Sequence, residues 1–449
     1  MTISQYFSIK LETSYNTRRF LAIKLKRVML ELMSLGLITE IFSGWGETPP
    51  PLKPIQPLQW EELALFSLPH SPEPIINTII DNYLQDLSNS GIPLNQQGVW
   101  LASDWWTYAQ HRGEIPQSAA SLTKIATSLA ALETYGVNYQ FETLVRHTGS
   151  IENGVLKGDL IIVGDGDPFF VWEEAIALSN HLNQLGITQV TGNLIIAGDF
   201  FMNYETNSKT SGQLLAQGMN YQLWSQEARQ QYQQLPSETP LPKIQIRGDI
   251  IVDQSASEMG TILVHHQSLP LPKILQEMNV YSNNKMADLI ARSVGGAEIV
   301  EKIVTEITAV SPEEVQLING SGLGVDNRLS PRVVAKMLRA IQQKLEANGK
   351  TINAVFPVAG ISRGTIRDRD IPTGIALKTG SLWNVSALAG VIPTDRHGLV
   401  YFTIINQNGG LQTFRNQQDK VLKNLVKEWE YNPFSINSNV KLGDTKRNN

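Results

Sequence analysis

The spacing of apolar residues switches twice along this chain, and that double switch limits its fold more than any other feature. Ile76, Ile79, Ile80, Tyr83, Leu84 and Leu87 follow the i, i+3, i+4, i+7 spacing of one helix face, with Gly91 as the stop. A second helix is expected over 121–135, with Ile125, Leu129 and Leu132 on one face and Gly136 behind it. From 145 to about 264 the pattern becomes short β runs and turns, as in Gly158-Asp-Leu-Ile-Ile-Val163 and Gly192-Asn-Leu-Ile-Ile-Ala197. Helical spacing returns at 271–278 and 285–294, the latter closed by Gly295 and Gly296. The stretch between the two helix-rich parts looks like an inserted domain.

Short β-type runs at 99–102 and 105–109 read as a hairpin, and runs at 374–379, 386–392 and 399–406 suggest adjacent antiparallel strands. A last helix, with Phe414, Val421, Leu422, Leu425, Val426 and Trp429 on one face, would pack on that sheet. The expected fold class is therefore α+β: an antiparallel sheet flanked by helices over 61–145 and 264–431, with a β-rich insertion at 146–263. No internal repeat is evident. The polar tail, 432–449, has little to bury and is expected to lack structure. At the other end Arg18, Arg19, Lys24, Lys26 and Arg27 precede an apolar stretch at 28–45, the order of a secretory signal or anchor. Glu31 and Glu40 interrupt that stretch, so an ordinary amphipathic helix is the competing reading. Pro49, Pro50, Pro51, Pro54 and Pro57 make an extended linker behind it, completing an N-terminal segment of residues 1–60.

Composition narrows the function. A chain of 449 residues with net charge −5 offers no basic face for nucleic acid, and its lack of cysteine excludes disulfides, thiolate nucleophiles and thiolate-held metals. Neither a cofactor nor a metal is called for.

The chemistry is carried by three short motifs. Ser121-Leu-Thr-Lys124 opens a predicted helix, where a spacing of three puts a hydroxyl and an amine on one face. A serine becomes nucleophilic only when a base takes its proton, and a lysine can do so if burial keeps it neutral. Such a pattern alone arises by chance in a chain this long. Ser282-Asn283-Asn284 stands just before a second helix, and Lys378-Thr379-Gly380-Ser381 ends a strand-like run. A second Ser-x-Asn at Ser435-Ile-Asn437 follows the strand motif, in the wrong order, and is discounted. Three motifs in order and in helix, helix and strand contexts form the signature of serine acyl-enzymes.

At this point the chain resembles the penicillin-binding proteins and serine β-lactamases, and more narrowly the D-alanyl-D-alanine carboxypeptidase/endopeptidase family often called penicillin-binding protein 4. Asn319-Gly-Ser-Gly-Leu323 with Asn327-Arg-Leu-Ser-Pro331 is similar to that family's DGSGL…NRLSP run. Gly360-Ile-Ser-Arg-Gly-Thr365, followed by Arg367 and Arg369, is similar to its GxxGT…R stretch, and Lys378-Thr-Gly-Ser-Leu382 with Val385-Ser-Ala-Leu-Ala-Gly390 to its strand pair. Two departures stand out: Asn319 replaces the usual aspartate, and the stretch between Ser121 and Ser282 is shorter than usual.

The resemblance implies a penicillin-binding transpeptidase-like domain acting on peptidoglycan stem peptides, with β-lactams as covalent inhibitors and an exported, periplasmic or envelope-associated location. It implies that Ser121 attacks the penultimate D-alanine carbonyl, Lys124 takes its proton, and the backbone N–H groups of Ser121 and Ser381 hold the oxyanion. Ser282 would relay a proton to the leaving amine and Lys378 would keep the pocket electropositive. Thr379, Gly380 and Ser381 would line the substrate's carboxylate side, and Asn284 would hold its amide. The rivals are a serine β-lactamase and a catalytically idle wall-binding scaffold. Gly164-Asp-Gly-Asp-Pro168 reads as a strand-ending turn rather than a calcium loop, and adjacent His265 and His266 point to opposite faces and are read as structural. Trp100, Trp105 and Trp106 suggest either core packing or a sugar-stacking platform, and Arg367 and Arg369 either a carboxylate contact or surface ion pairs.

Overall fold

The computed structural model describes residues 74–435 and 442–449; the N-terminal segment and its proline-rich linker lie outside the described residues. In chain order the first elements are α1 (Pro74–Asn89), the hairpin strands β1 (Gln97–Ala102) and β2 (Thr107–His111), and α2 (Thr123–Tyr135). The insertion then runs through β3 (Glu142–His147), β4 (Val155–Lys157), β5 (Leu160–Asp165), α3 (Trp172–Gln184), β6 (Gln189–Val190), β7 (Leu194–Asp199), α4 (Ser208–Gly218), β8 (Gln245–Ile246), β9 (Ile250–Val252) and β10 (Thr261–Gln267). Helices α5 (Leu271–Tyr281), α6 (Asn284–Val294) and α7 (Pro331–Glu346) lead to strands β11 (Ala376–Leu382), β12 (Val385–Thr394) and β13 (Gly398–Gln407), and α8 (Leu411–Glu428) follows.

The segments on either side of the insertion meet in one antiparallel sheet of order β11-β12-β13-β1-β2. Alternation along β13 explains its two covered faces: Val400, Phe402 and Ile404 join the apolar cluster under α1 and α8, whereas Tyr401 and Ile405 join the one under α2 and α7. Both the antiparallel sheet and its flanking helices agree with expectation. Two boundaries differ. Lys378, Thr379, Gly380 and Ser381 lie inside β11 rather than at its end, and Trp105 and Trp106 sit in the turn before β2. There Ser103 Oγ accepts from the N–H groups of both tryptophans (3.4 and 3.3 Å), which closes the turn before the second strand begins.

The insertion is not simply β-rich, and it does contain a repeat. Its strands β5, β7 and β9 run parallel and in register, Leu160 beside Leu194 beside Ile250, while β4, β6 and β8 form a second parallel set. Parallel neighbours need crossovers, and α3 and α4 belong to these. Each rung turns at a Gly-Asp or Gly-Asn corner. The Gly192 N–H donates to Gly158 O at 3.0 Å and the Gly248 N–H to Gly192 O at 2.9 Å. Asp159 Oδ1 accepts from Asn193 N at 2.7 Å, and Asn193 Oδ1 from Asp249 N at 2.9 Å. A Cβ on Gly192 would sit 2.6 Å from Gly158 O and one on Gly248 2.4 Å from Gly192 O, so only glycine lets the corners stack this closely. The insertion has its own apolar cluster, including Val145, Ile162, Trp172, Ile176 and Ile196.

The C-terminal residues 442–449 also depart from expectation, because they dock on the insertion. Asn449 exchanges backbone hydrogen bonds with His265 (3.0 and 2.7 Å), Asn448 Oδ1 meets His266 Nδ1 at 2.7 Å, and Arg447 Nη2 donates to Glu174 Oε1 at 2.5 Å. Burial of apolar surface is a poor guide to such a tail: what holds it is the pairing of polar groups that are themselves buried, Glu174 and His266.

Candidate active site

Ser121 lies in a single 3₁₀ turn, Ala120–Leu122, that feeds into α2. The residue before it, Ala120, is buried with φ +46°, a left-handed conformation that costs a non-glycine residue free energy and needs the surroundings to enforce it. One such restraint is the Ala119 N–H donating to Asn327 O at 2.9 Å. Ser282 is likewise left-handed, φ +53°, at the junction where α5 ends and Asn283 caps α6. The motif serines are thus both held at helix ends by local backbone geometry.

Lys124 is fully buried, and its Nζ has three neighbours: Ser121 Oγ at 3.1 Å, Asn284 Oδ1 at 2.7 Å and Ser321 O at 2.7 Å. Burial lowers its pKa from 10.5 to about 7, opposed by the charge of Asp288. Lys378, also fully buried, places Nζ 3.0 Å from Ser282 Oγ and 2.8 Å from Thr379 O. Burial, and then the nearby Lys124 charge, push Lys378 well below its usual value. Gly380 lets β11 lie against the turn that carries Ser121: a Cβ there would be 3.0 Å from Ala119 O and 3.1 Å from Ser121 N.

The structure therefore gathers Ser121, Lys124, Ser282, Asn284, Lys378, Thr379, Gly380 and Ser381 in one neighbourhood. A cleft of about 230 Å³ is lined by Ser121, Ser282, Thr379 and Ser381, and also by Thr365, Arg369 and Arg415. Thr365 and Thr379 share a hydrogen bond between their hydroxyls at 2.7 Å. Asn284 turns its Oδ1 to Lys124, which leaves only its amide N–H₂ for a substrate.

The sequence alone does not point to Ser321 or Arg415, and it marks Asn319 only as a departure from the usual aspartate. Ser321 acts through its carbonyl, which no side-chain pattern reveals. Asn319 organises that loop as a neutral amide: Oδ1 accepts from Ser321 N (3.2 Å) and Gly322 N (2.8 Å), while Nδ2 donates to Leu323 O (2.8 Å). An aspartate could accept the first two but could not make the third. Arg415 reaches the cleft from α8, donating from Nη2 to Ser381 Oγ at 3.1 Å. Of the two arginines weighed earlier, Arg369 is buried in a pair with Asp419 (2.6 Å). The three tryptophans border a different cleft, with Asp104 and Arg339, and Trp105 is 86% exposed. The turn reading of 164–168 holds, with Asp167 Oδ1 accepting from Phe169 N at 2.8 Å. His265 is exposed and His266 buried, on opposite faces of β10. Among the described residues no cluster of three metal-ligating side chains occurs.

Comparison with known proteins gives this geometry a context. A carboxypeptidase DacB of Mycolicibacterium smegmatis is 33% identical over 170 residues, which span 34% of this chain and 36% of that relative. The D-alanyl-D-alanine carboxypeptidase DacB of Haemophilus influenzae is 22% identical over 394 residues, 66% of this chain and 81% of the relative. Among solved structures, the penicillin G acylated predatory endopeptidase Bd3459 of Bdellovibrio bacteriovorus superposes with a TM-score of 0.67 at 20% identity, over 77% of this chain and 96% of that one. Penicillin binding protein 4 of Haemophilus influenzae gives 0.57 at 20% identity, over 78% and 99%. Both share the fold of this chain. Residues 80–211 and 216–428 match the D-Ala-D-Ala carboxypeptidase 3 (S13) family, and the chain belongs to that family.

Proposed function

We propose that this peptidase hydrolyses the bond between the last two D-alanines of peptidoglycan stem peptides through an acyl-enzyme on Ser121. The observation that carries this is the setting of Lys124. A neutral amine has two N–H donors and one lone pair; the two carbonyl oxygens at 2.7 Å, Asn284 Oδ1 and Ser321 O, take the donors, and the lone pair is left for the Ser121 hydroxyl at 3.1 Å. Burial supports the neutral form near pH 7.

In this reading Ser121 Oγ bonds to the carbonyl carbon as its proton passes to Lys124. Backbone N–H groups of Ser121 and Ser381 hold the oxyanion, a charge that exists only in the transition state and the tetrahedral intermediate. Collapse breaks the C–N bond and expels D-alanine, whose nitrogen takes a proton from Ser282; the proton that Lys124 took from Ser121 replaces it, so Lys124 is neutral again, while Lys378 Nζ holds the Ser282 hydroxyl at 3.0 Å. Water then attacks the ester, with Lys124 again as base, and frees the shortened peptide. Cross-links that expose the same bond type would be cut by the same steps. Such a substrate lies outside the cytoplasmic membrane, so the reading carries export with it. Among the described residues no helix is long and apolar enough to cross a membrane.

Intact-protein mass spectrometry after exposure to a penicillin tests this. A stable adduct of one drug mass on the wild type, absent from Ser121→Ala, together with D-alanine release from an acyl-D-Ala-D-Ala peptide, is the expected result. No adduct and no drug turnover would leave an idle scaffold, and rapid turnover of the drug would indicate a β-lactamase.

A further inference from the structure

The cleft beside Ser121 holds two guanidinium groups, and they are in opposite states. Arg369 has side-chain exposure of 6% and is committed: its Nε and Nη2 donate to Asp419 Oδ1 at 3.0 and 2.6 Å, and Nη2 also reaches Gln418 Oε1 at 3.0 Å. Its charge is cancelled by a carboxylate that is itself buried. Arg415 lies one helical turn before Asp419 on α8 and is only partly buried. It donates to Ser381 Oγ at 3.1 Å, and among the described residues no carboxylate forms an ion pair with it.

The remaining cations of the site cannot take its place. Lys378 spends its Nζ on Ser282 Oγ and Thr379 O, and Lys124 spends its own on Ser121, Asn284 and Ser321. Both are fully buried and neither lines the cleft. The one guanidinium that borders the cleft without a carboxylate partner therefore stands at its Ser381 end. Around it are hydroxyls able to donate as well as accept: Ser381, Thr379 and, bonded to Thr379 at 2.7 Å, Thr365.

We infer that Arg415 is the specificity-determining residue that binds the free α-carboxylate of the leaving amino acid, jointly with the hydroxyls of Ser381 and Thr379. This rests on the peptidase reading above and gives the electrostatic part of carboxylate binding to Arg415. A planar guanidinium offers a fork that fits a carboxylate, and it keeps its charge at any pH a protein meets. When the carboxylate arrives, the Ser381 hydroxyl that now accepts from Arg415 can turn its own hydrogen onto the incoming oxygen. The contact lies beyond the scissile bond, so it selects a leaving residue whose carboxyl is free over one whose carboxyl continues into an amide.

Two matched pairs test the assignment: an acyl-D-Ala-D-Ala peptide against its C-terminal carboxamide, and a penicillin against its methyl ester. Arg415→Ala is expected to raise KM for the free-acid peptide roughly 10–100-fold, the span commanded by a charge-assisted hydrogen bond, with kcat changed far less. The acid-over-amide preference should collapse by the same factor, and the acid-over-ester preference in penicillin acylation with it. Arg415→Lys should restore part of both, since it returns the charge without the fork. A thermal melt of each variant reports folding. If wild type is acylated and prefers the acid, and that preference survives in Arg415→Ala, the assignment fails alone. A wild type that is neither acylated nor releases D-alanine would remove the peptidase reading, and this assignment with it.

Discussion

Lys124 and Lys378 put two amines in one dry neighbourhood, where each protonated form raises the cost of the other. Penicillin acylation should therefore rise with pH through about 7 and level off above it, as Lys124 loses its proton. Lys124→Met should remove that acid limb and lower the acylation rate by about 10²–10⁴, read in stopped-flow kinetics. Stability has a matching sign. Between pH 7 and 10.5 the unfolded chain holds a proton on Lys124 that the folded chain has shed, so stability from this group rises with pH across that window. Urea midpoints at pH 7 and 9 should show the difference between wild type and Lys124→Met shrinking as pH rises. At this scale the clustering of Ser121, the two lysines and Ser282 was legible because each is a polar side chain at a fixed spacing in its motif. Ser321 was not, since its contribution is a main-chain carbonyl. Asn319 drew notice for a lost charge, whereas its part is an N–H that an aspartate lacks.

Among the elements, α8 is tied to the site by the buried Arg369–Asp419 pair. Arg369→Met strands the Asp419 carboxylate out of water and is expected to cost about 3–5 kcal/mol in urea denaturation, and Asp419→Asn should cost a comparable amount because it leaves the buried Arg369 guanidinium without a counter-charge. The same docking brings Arg415 to Ser381, which is why helical periodicity could place the stripe of α8 on the sheet without revealing what its polar edge would meet. The insertion was legible only in part. Its β-branched runs announced strands, yet Trp172, Ala175, Ile176 and Ser179, all buried and at helical spacing, were passed over beside them. The repeat escaped because its corners at residues 158, 192 and 248 are separated by unequal crossovers. Gly248→Val is expected to lose the third rung: amide exchange should quicken across 245–252, with destabilisation of about 1–3 kcal/mol from the clash with Gly192 O.

At the scale of the whole molecule, buried polar contacts join the C-terminal end to the insertion. Arg447 pairs with Glu174 of α3, and Asn448 with His266 of β10, so eight residues at the C-terminal end tie together a helix and a strand of the insertion that lie far apart in sequence. Removing residues 444–449 uncovers Glu174 and His266 together, and thermal denaturation should show a loss of about 3–5 kcal/mol. The stacked corners of the insertion have a different consequence. Each rung offers the next the same edge, a glycine carbonyl and an Asp or Asn side-chain oxygen, and receives the same edge in return. A stack joined by interchangeable edges has no preferred length. Rungs can be lost or gained by deletion or duplication of a segment while the terminal surfaces stay complementary, so this part of the chain can be resized over generations without disturbing the cleft at Ser121.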